Sequence, residues 1–415
     1  MEIVHEPWYR RLHLQIFAAM AAGTVAGLVG GAEFAAKVAW LGTLFVSLLK
    51  MIIVPLVLTS IIAGVSSVGR GAGLGRLFGR TLGYYVLSSL LAILVGLLFV
   101  NVIRPGVGAD LTTAAHKDLP VLDSPTDIGS LLLRVVPTNV AKAAAEADML
   151  GLIFFCILFG LAITALPDEP QRLLRQVFDA AFQAMMKLTG WIIRFAPIGV
   201  FGLIARVVGD SGVEAFRALG LYMLTIASGL TVHLFVTLPL LLIFLGRINP
   251  RIHFRNMLEP LTMAFSTSSS AATLPVTIRA VREKVGVSDR VTSFVLPMGA
   301  TVNMDGTALY ECAGALFIAQ VLGAELTLVQ QGIVVMTALL ASIGAAAVPS
   351  AGLVIIFLVT EAVNLRGPQV ELIIGTMFAI DRPLDMYRTA VNVFSDSCGA
   401  AIIARAEGEE SVDTA

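Results

Sequence analysis

The segment AIDRPLDMYRTAVNVFSDSCGAAII, residues 379–403, sets three aspartates, two arginines and an asparagine among apolar residues. Advancing about 100° per residue from Asp381 brings Asp385, Arg388, Thr389, Asn392 and Asp396 onto one arc roughly 100° wide. Met386, Tyr387, Phe394 and most of the aliphatic residues fall outside it. Read as a helix, the segment has one polar face, and the rest can meet lipid or neighbouring helices.

The surrounding chain has the balance of a polytopic membrane protein. Of its 415 residues, 57% are hydrophobic and only 14% charged, against about 25% charged in an ordinary soluble domain. A net charge of −1, with 28 basic residues gathered into no long run, argues against a nucleic-acid partner. Cys156, Cys312 and Cys398 each lie in apolar sequence without metal-ligand spacing and read as small packing residues. Arg10 and Arg11 before an apolar run resemble a signal peptide. Many more such runs follow, so this reads as a first spanning helix with Trp8 and Tyr9 at the interface.

A spanning helix needs about 20 predominantly apolar residues. The candidates are 12–32, 38–69, 82–104, 148–166, 188–208 and 218–245. Lys50, inside the second, reads as a snorkelling or helix-pairing charge. RLLRQVFDAAFQAMMKLTGW, residues 172–191, is an amphipathic lead-in to the fifth. Arg10/Arg11, Arg70/Arg76/Arg80, Arg172/Arg175 and GRINPRIHFR (246–255) fall on alternate connections, and Asp110/Asp118/Asp123/Asp127 and GDSGVE (209–214) on the others. The positive-inside rule then puts the N-terminus in the cytoplasm and the polar loop at about 105–147 outside.

After residue 250 the pattern changes. AFSTSSSAATLPV (264–276) and ASIGAAAVPSAGLV (341–354) each place small residues and one proline inside apolar sequence. Both would weaken a plain spanning helix. The alternative is a re-entrant helical hairpin, whose irregular tip is tolerated where it is buried in protein or lines a cavity. Each is followed by a span carrying polar residues, the outline of an inverted internal repeat.

A charge at the bilayer centre costs roughly 2.5–3.5 kcal/mol on the insertion scale. Asp381, Asp385, Arg388, Asp396 and Asp305 together therefore approach a whole domain's stability of about 5–15 kcal/mol. A charge-paired seam between helices would need balance, and these five sum to −3. The excess calls for bound cations, more than one unless carboxylates are protonated. GATVNMDGT (299–307) adds Asn303, Asp305 and Thr307 at alternating positions, wrong for one face of an intact helix. It suits an unwound turn whose carbonyls and carboxylate form an oxygen cage. Ser266–Ser270, alone, reads equally as a helix-breaking loop. At a hairpin tip its free backbone N–H groups offer a carboxylate site. Arg388 supplies a planar fork for a second carboxylate, and Asp385 suits an amine. His233 reads as a core histidine with a hydrogen-bonded partner. Tyr84 and Tyr85 read as packing residues and Ser88 and Ser89 as helix contacts, and spacing alone does not decide their roles.

Together, STSSSAATLP (266–275), NMDGT (303–307), ASIGAAAVPSAG (341–352) and LDMYRTAVNVFSD (384–396) resemble the glutamate transporter family, the dicarboxylate/amino acid:cation symporters. LLKMIIVPLV (48–57), GYYVLSS (83–89) and FAPIGVFGLIA (195–205) agree with it. The resemblance implies an all-α polytopic membrane protein of eight transmembrane helices plus two re-entrant helical hairpins with inverted repeats. It implies a homotrimer in the plasma (cell inner) membrane with cytoplasmic termini, bound by membrane lipids, whose transport domain moves past a scaffold as an elevator. The implied division is scaffold 1–80, a third transport-domain helix and external loop at 81–130, scaffold 131–210, and transport domain 211–415.

Carried over residue by residue, Arg388 binds the side-chain carboxylate of L-aspartate or L-glutamate, oriented by Asp381 and flanked by Thr307. Asp385 with Thr389 takes the amine, and Asn392 with Ser269 and Ser270 the α-carboxylate. VPSAG, Val348 to Gly352, is the tip of the outer gate. Sodium is the implied coupling ion, with no organic cofactor. Its sites would draw on Gly299, Asn303, Asn392 and Asp396; on Tyr85, Ser88, Ser89, Asn303 and Asp305; and on Thr301, Met304, Ser342 and Ile343.

The chain departs from the family at several points. A second arginine is usual in the first tip or just after the amine-binding aspartate, where Ser268 and Met386 stand. Arg382 is its replacement or a boundary charge. Ala347 and Ser395 stand where glycine is common. The expected activity is sodium-coupled symport of acidic amino acids, the alternatives a C4-dicarboxylate or proton-coupled carrier of the same family. An intramembrane hydrolase is the distant alternative, disfavoured because no histidine or lysine lies close in sequence to the serine-rich tip.

Overall fold

A computed structural model describes residues 12–66, 74–109, 111, 136–145, 149–211, 214–343, 351–409 and 412–413. These residues are helical with short connections, and no strand occurs among them. Val348 and the rest of the second tip up to residue 350 lie outside the described residues, as do Trp8, Tyr9 and most of the 105–147 loop.

The first two expected spans run together as α1, Leu12–Ser66, with a break at Gly31. The stretch between them, GAEFAAKV, is rich in helix formers, so no loop intervenes. Gly31 itself sits at φ 59° and ψ −166°, which a residue with a Cβ rarely adopts. α2 (Leu74–Ile103), α3 (Val140–Ala145) and α4 (Met149–Ala165) follow. The amphipathic lead-in is α5, Asp168–Arg194, and it bends by 48° into α6, Ala196–Ser211. Pro197 follows the bend directly, where it cannot continue the α5 hydrogen-bond ladder. α7, Glu214–Val232, continues through two wide turns, His233–Thr237 and Leu242–Gly246, on either side of Pro239.

Residues 264–276 contain the turn of a helical hairpin, at Ser268 and Ser269. α8 (Pro250–Thr267) ends at Ser268 with φ 50°, and α9 (Ser270–Ala280) begins on Ser269, whose side chain accepts from Ala272 N–H. Glu259 on α8 ties the arms by pairing with Arg279 and with Lys284. α10 (Asp289–Val302) and α11 (Asp305–Val321) come next. α12 (Leu328–Ile343) and α13 (Ala351–Ala362) pack on each other as a second pair, and α14, Pro368–Ala406, closes the chain.

α1 packs on α4, α5 and α6, and α2 packs on α7 and α11. α14 touches α8, α9, α10, α11 and α13, so most of its length is buried on every side. Phe45 of α1 meets Phe378 of α14 edge to face at 4.9 Å, and Lys50 pairs with Glu371 at the start of α14. Lys50 is thus a helix-pairing charge. Cys156, Cys312 and Cys398 are buried and unbridged, as packing residues should be.

Three helices among the described residues are long and apolar enough to cross a membrane: Leu14–Ser66, Arg76–Ile103 and Phe216–Gly246. The bent pair Asp168–Arg194 and Ala196–Gly209 makes a fourth if taken as one span.

Candidate functional site

The polar arc of α14 is buried in full: Asp381, Asp385, Arg388, Thr389, Asn392 and Asp396. In a membrane protein such groups face the bundle interior, where partners offset their desolvation. Arg388 Nε and Nη2 donate to Asp385 Oδ1 at 3.0 and 2.7 Å, and Nη1 lies 3.2 Å from Asp381 Oδ1. The guanidinium also stacks 4.4 Å above the Tyr310 ring. Arg388 and Asp385, assigned by resemblance to opposite groups of one zwitterion, therefore hold each other. A ligand carrying both a carboxylate and an ammonium can exchange places with this pair without leaving either charge bare.

Arg382 is buried, and its Nη1 donates to Asp385 Oδ2 at 3.3 Å. It is not a boundary charge. Counting it with the five charges above lowers the excess from −3 to −2. The Thr389 hydroxyl donates to the Asp385 backbone carbonyl at 2.7 Å. Asn392 joins α14 to α11, its Oδ1 accepting from Gly306 N–H at 2.8 Å and its Nδ2 donating to Thr307 Oγ1 at 3.2 Å. Gly352 at the start of α13 faces Arg388, since a Cβ there would lie 2.9 Å from Nη1.

Between α10 and α11 the chain is unwound at Asn303 (φ −102°, ψ 94°) and Met304 (φ −123°, ψ 62°). The expected non-helical turn within 299–307 is thus confined to Asn303 and Met304, while Asp305 and Thr307 lie in the first turn of α11. Asn303 Nδ2 donates to Asp396 Oδ1 at 2.9 Å, and the Tyr85 hydroxyl donates to Val295 O at 2.7 Å. Gly299 lies between them, where a Cβ would come within 2.5 Å of Asp396 Oδ1 and 2.6 Å of the tyrosine oxygen. Asp305, wholly buried, accepts from Ser89 at 2.7 Å and Ser88 at 3.2 Å. Buried carboxylate, amide and hydroxyl oxygens beside an unwound helix end fit a hard monovalent cation.

The third expected set is less closely joined. The Thr301 and Ser342 hydroxyls each donate to carbonyls of their own helices, Met298 O at 3.0 Å and Leu339 O at 2.9 Å, while Met304 is buried at the unwound turn. The side chain of Ile343 lies outside the described residues. At the first tip Ser269 caps α9, Ser270 is buried, and Ser268 Oγ is buried without a hydrogen-bond partner among the described residues. Both arms pack against α14.

Three features escaped the sequence reading. Glu311 of α11 is buried, and neither carboxylate oxygen has a hydrogen-bond partner among the described residues. A lone glutamate inside TALYECAGALFIA was the available signal. His233 is a core histidine with a hydrogen-bonded partner as expected, but that partner is Asp305. Ser397 Oγ, His253 and Asp413 line up, with Nε2 to Ser397 at 3.0 Å and Nδ1 to Asp413 Oδ2 at 2.6 Å. The order resembles a hydrolase relay, but all three are buried and the Ser397 hydroxyl donates to Phe394 O at 2.7 Å. With Asn256 donating to Asp413 at 2.8 Å, the group clamps the chain near its C-terminal end onto α8.

A charged helix face buried against paired helical segments, with oxygen donors beside it, fits a membrane carrier, and the family match makes it one. Residues 12–406 match the sodium:dicarboxylate symporter family, and the chain belongs to it. It is 35% identical to excitatory amino acid transporter 3 of Mus musculus over 96% of this chain and 86% of that protein. It is 34% identical to the proton/sodium-glutamate symport protein of Bacillus caldotenax, covering 95% and 94%. The proton/glutamate-aspartate symporter of Escherichia coli (strain K12) is also 34% identical, over 88% of this chain and 84% of the other.

Proposed function

We propose that the chain is a sodium-coupled symporter of acidic amino acids, aspartate or glutamate. The observation that carries this reading is the buried Arg388–Asp385 pair on α14, one turn from Asn392 and beside the Asn303–Asp396 cage. Arg388 favours an acidic side chain over a neutral one, and Asp385 favours an amine over a plain dicarboxylate. Asp396 and Asp305, set among neutral oxygen donors, favour sodium over protons alone. The names of the relatives, which specify glutamate, aspartate, sodium and protons, support the same reading.

In this reading the chain crosses the plasma membrane eight times with cytoplasmic termini, and the α8–α9 and α12–α13 pairs are re-entrant hairpins of an inverted repeat. α1 and α4–α6 form the scaffold of a homotrimer, and α2 with α7–α14 forms the transport domain of an elevator. The segregated packing of α1 on α4–α6 and of α2 on α7 and α11 supports the division.

The test is uptake of L-aspartate into proteoliposomes with and without a sodium gradient, where equal uptake removes the coupling. Calorimetry of L-aspartate, L-glutamate and succinate, each with and without sodium, then separates an amino-acid carrier from a C4-dicarboxylate carrier. A second reading, proton coupling, is favoured by Glu311. An uncompensated charge there would cost several kcal/mol, so a coupled proton would ride on this carboxyl.

A further inference from the structure

The two oxygens of the buried Asp305 carboxylate have different neighbours. Oδ1 accepts from Ser88 and Ser89, both in the proposed cation set. Oδ2 accepts from Ser395 Oγ at 2.6 Å and lies 3.1 Å from His233 Nε2, and neither residue belongs to that set. An ionised carboxylate only accepts, so the hydrogen between His233 and Asp305 sits on Nε2. His233 is fully buried on the wide turn of α7, and its Nδ1 has no hydrogen-bond partner among the described residues. Its one polar contact there is to Asp305.

Ser395 reaches further. Its Oγ accepts from Asn303 Nδ2 at 3.0 Å, and that same amide donates to Asp396 Oδ1 at 2.9 Å. Asp305, Ser395, Asn303 and Asp396 thus form one continuous chain between the carboxylates of two cation sets. Glycine, usual in the resembling family where Ser395 stands, would break it.

We propose that His233 and Ser395 are positioning residues for the cation held at Asp305: they pin Oδ2 and so aim Oδ1 at Ser88 and Ser89. The inference rests on the sodium reading above. Neither side chain touches the ion. Partners on the far side of a metal ligand fix its orientation, and losing one typically costs roughly 10–100-fold in metal affinity.

The experiment is a sodium titration of the purified full chain, read by melting temperature and by aspartate calorimetry at each concentration. His233→Ala should raise the half-saturating sodium concentration roughly 10–100-fold. His233→Gln, whose amide can donate to Oδ2, should restore it nearly to wild type. Ser395→Ala should raise the same midpoint and lower the cooperativity of sodium binding, because the link to Asp396 is cut. An unchanged sodium midpoint in both alanine variants overturns the proposal, even with a lowered melting temperature, since lost packing acts equally with and without sodium. So does a His233→Gln chain as impaired as His233→Ala. A wild-type protein indifferent to sodium would sink the sodium reading, and this inference with it.

Discussion

Replacing Gly299 by alanine adds one carbon to the last turn of α10, 2.5 Å from Asp396 Oδ1 and 2.6 Å from the Tyr85 hydroxyl. Real Cβ atoms essentially never approach within 3.0 Å, so both neighbours must move. Each is held, the tyrosine by Val295 O and the aspartate by Asn303. Overpacking of this kind costs typically 1–3 kcal/mol, and a lost hydrogen bond to a charged group about 1.5–3 kcal/mol. The helix regains about 1 kcal/mol from the exchange of glycine for alanine. The balance, about 1.5–5 kcal/mol, falls on the geometry of the cation cage and corresponds to at least a tenfold loss of sodium affinity. Calorimetry of L-aspartate at stepped sodium concentrations reads it directly. The half-saturating sodium concentration should rise at least about tenfold, while aspartate affinity at saturating sodium changes far less, because Arg388 and Asp385 are untouched. A Gly299→Ala protein with the wild-type sodium midpoint would show that this cradle holds no ion.

Other consequences are open to the same preparations. Arg388→Cys removes the carboxylate fork, and losing one partner of such a contact costs about 2–5 kcal/mol. Aspartate binding should weaken by roughly 30-fold or more, with acceptance of neutral amino acids; unchanged aspartate affinity takes Arg388 out of the site. Glu311→Gln should abolish aspartate uptake driven by a proton gradient alone while sparing sodium-driven uptake, and wild-type proton-driven uptake removes Glu311 from coupling. Beyond the end of α14, burial alone would raise the Glu407 carboxyl, but the Arg76 hydrogen bond and the charges of Arg76, Arg80 and Arg290 hold it below the ordinary glutamate range. Because the folded value is the lower one, its contribution to stability is complete above roughly pH 4.3 and is lost as pH falls through the folded value. Glu407→Gln should therefore flatten the acid limb of the melting profile, and an identical limb would refute the pairing.

Local periodicity carried much of the site. The arc from Asp381 to Asp396 follows from the helical repeat, because backbone geometry alone decides which side chains share a face. The unwound Asn303–Met304 turn and the Ser268–Ser269 tip were also legible, since polar residues at alternating positions and a serine run fit no intact helix. Residues 33–37, left between the first two expected spans, are helical instead because helix formers fill them, and the break falls at Gly31, inside the first expected span.

The sequence by itself determined the membrane class, the polar face of residues 379–403 and the break within 299–307, all properties of contiguous residues whose directions the backbone sets. Only the tertiary structure decided what those groups face. It made Arg382, which the sequence left as either a replacement arginine or a boundary charge, a second partner of Asp385, and brought His233, Ser88, Ser89 and Ser395 to the one carboxylate of Asp305. It also clamped Asp413 onto His253, 160 residues away in sequence. Hydrogen bonds across such separations leave no period in the sequence. They arise because burying the apolar faces of α2, α7, α11 and α14 against one another leaves their polar atoms no partners but each other.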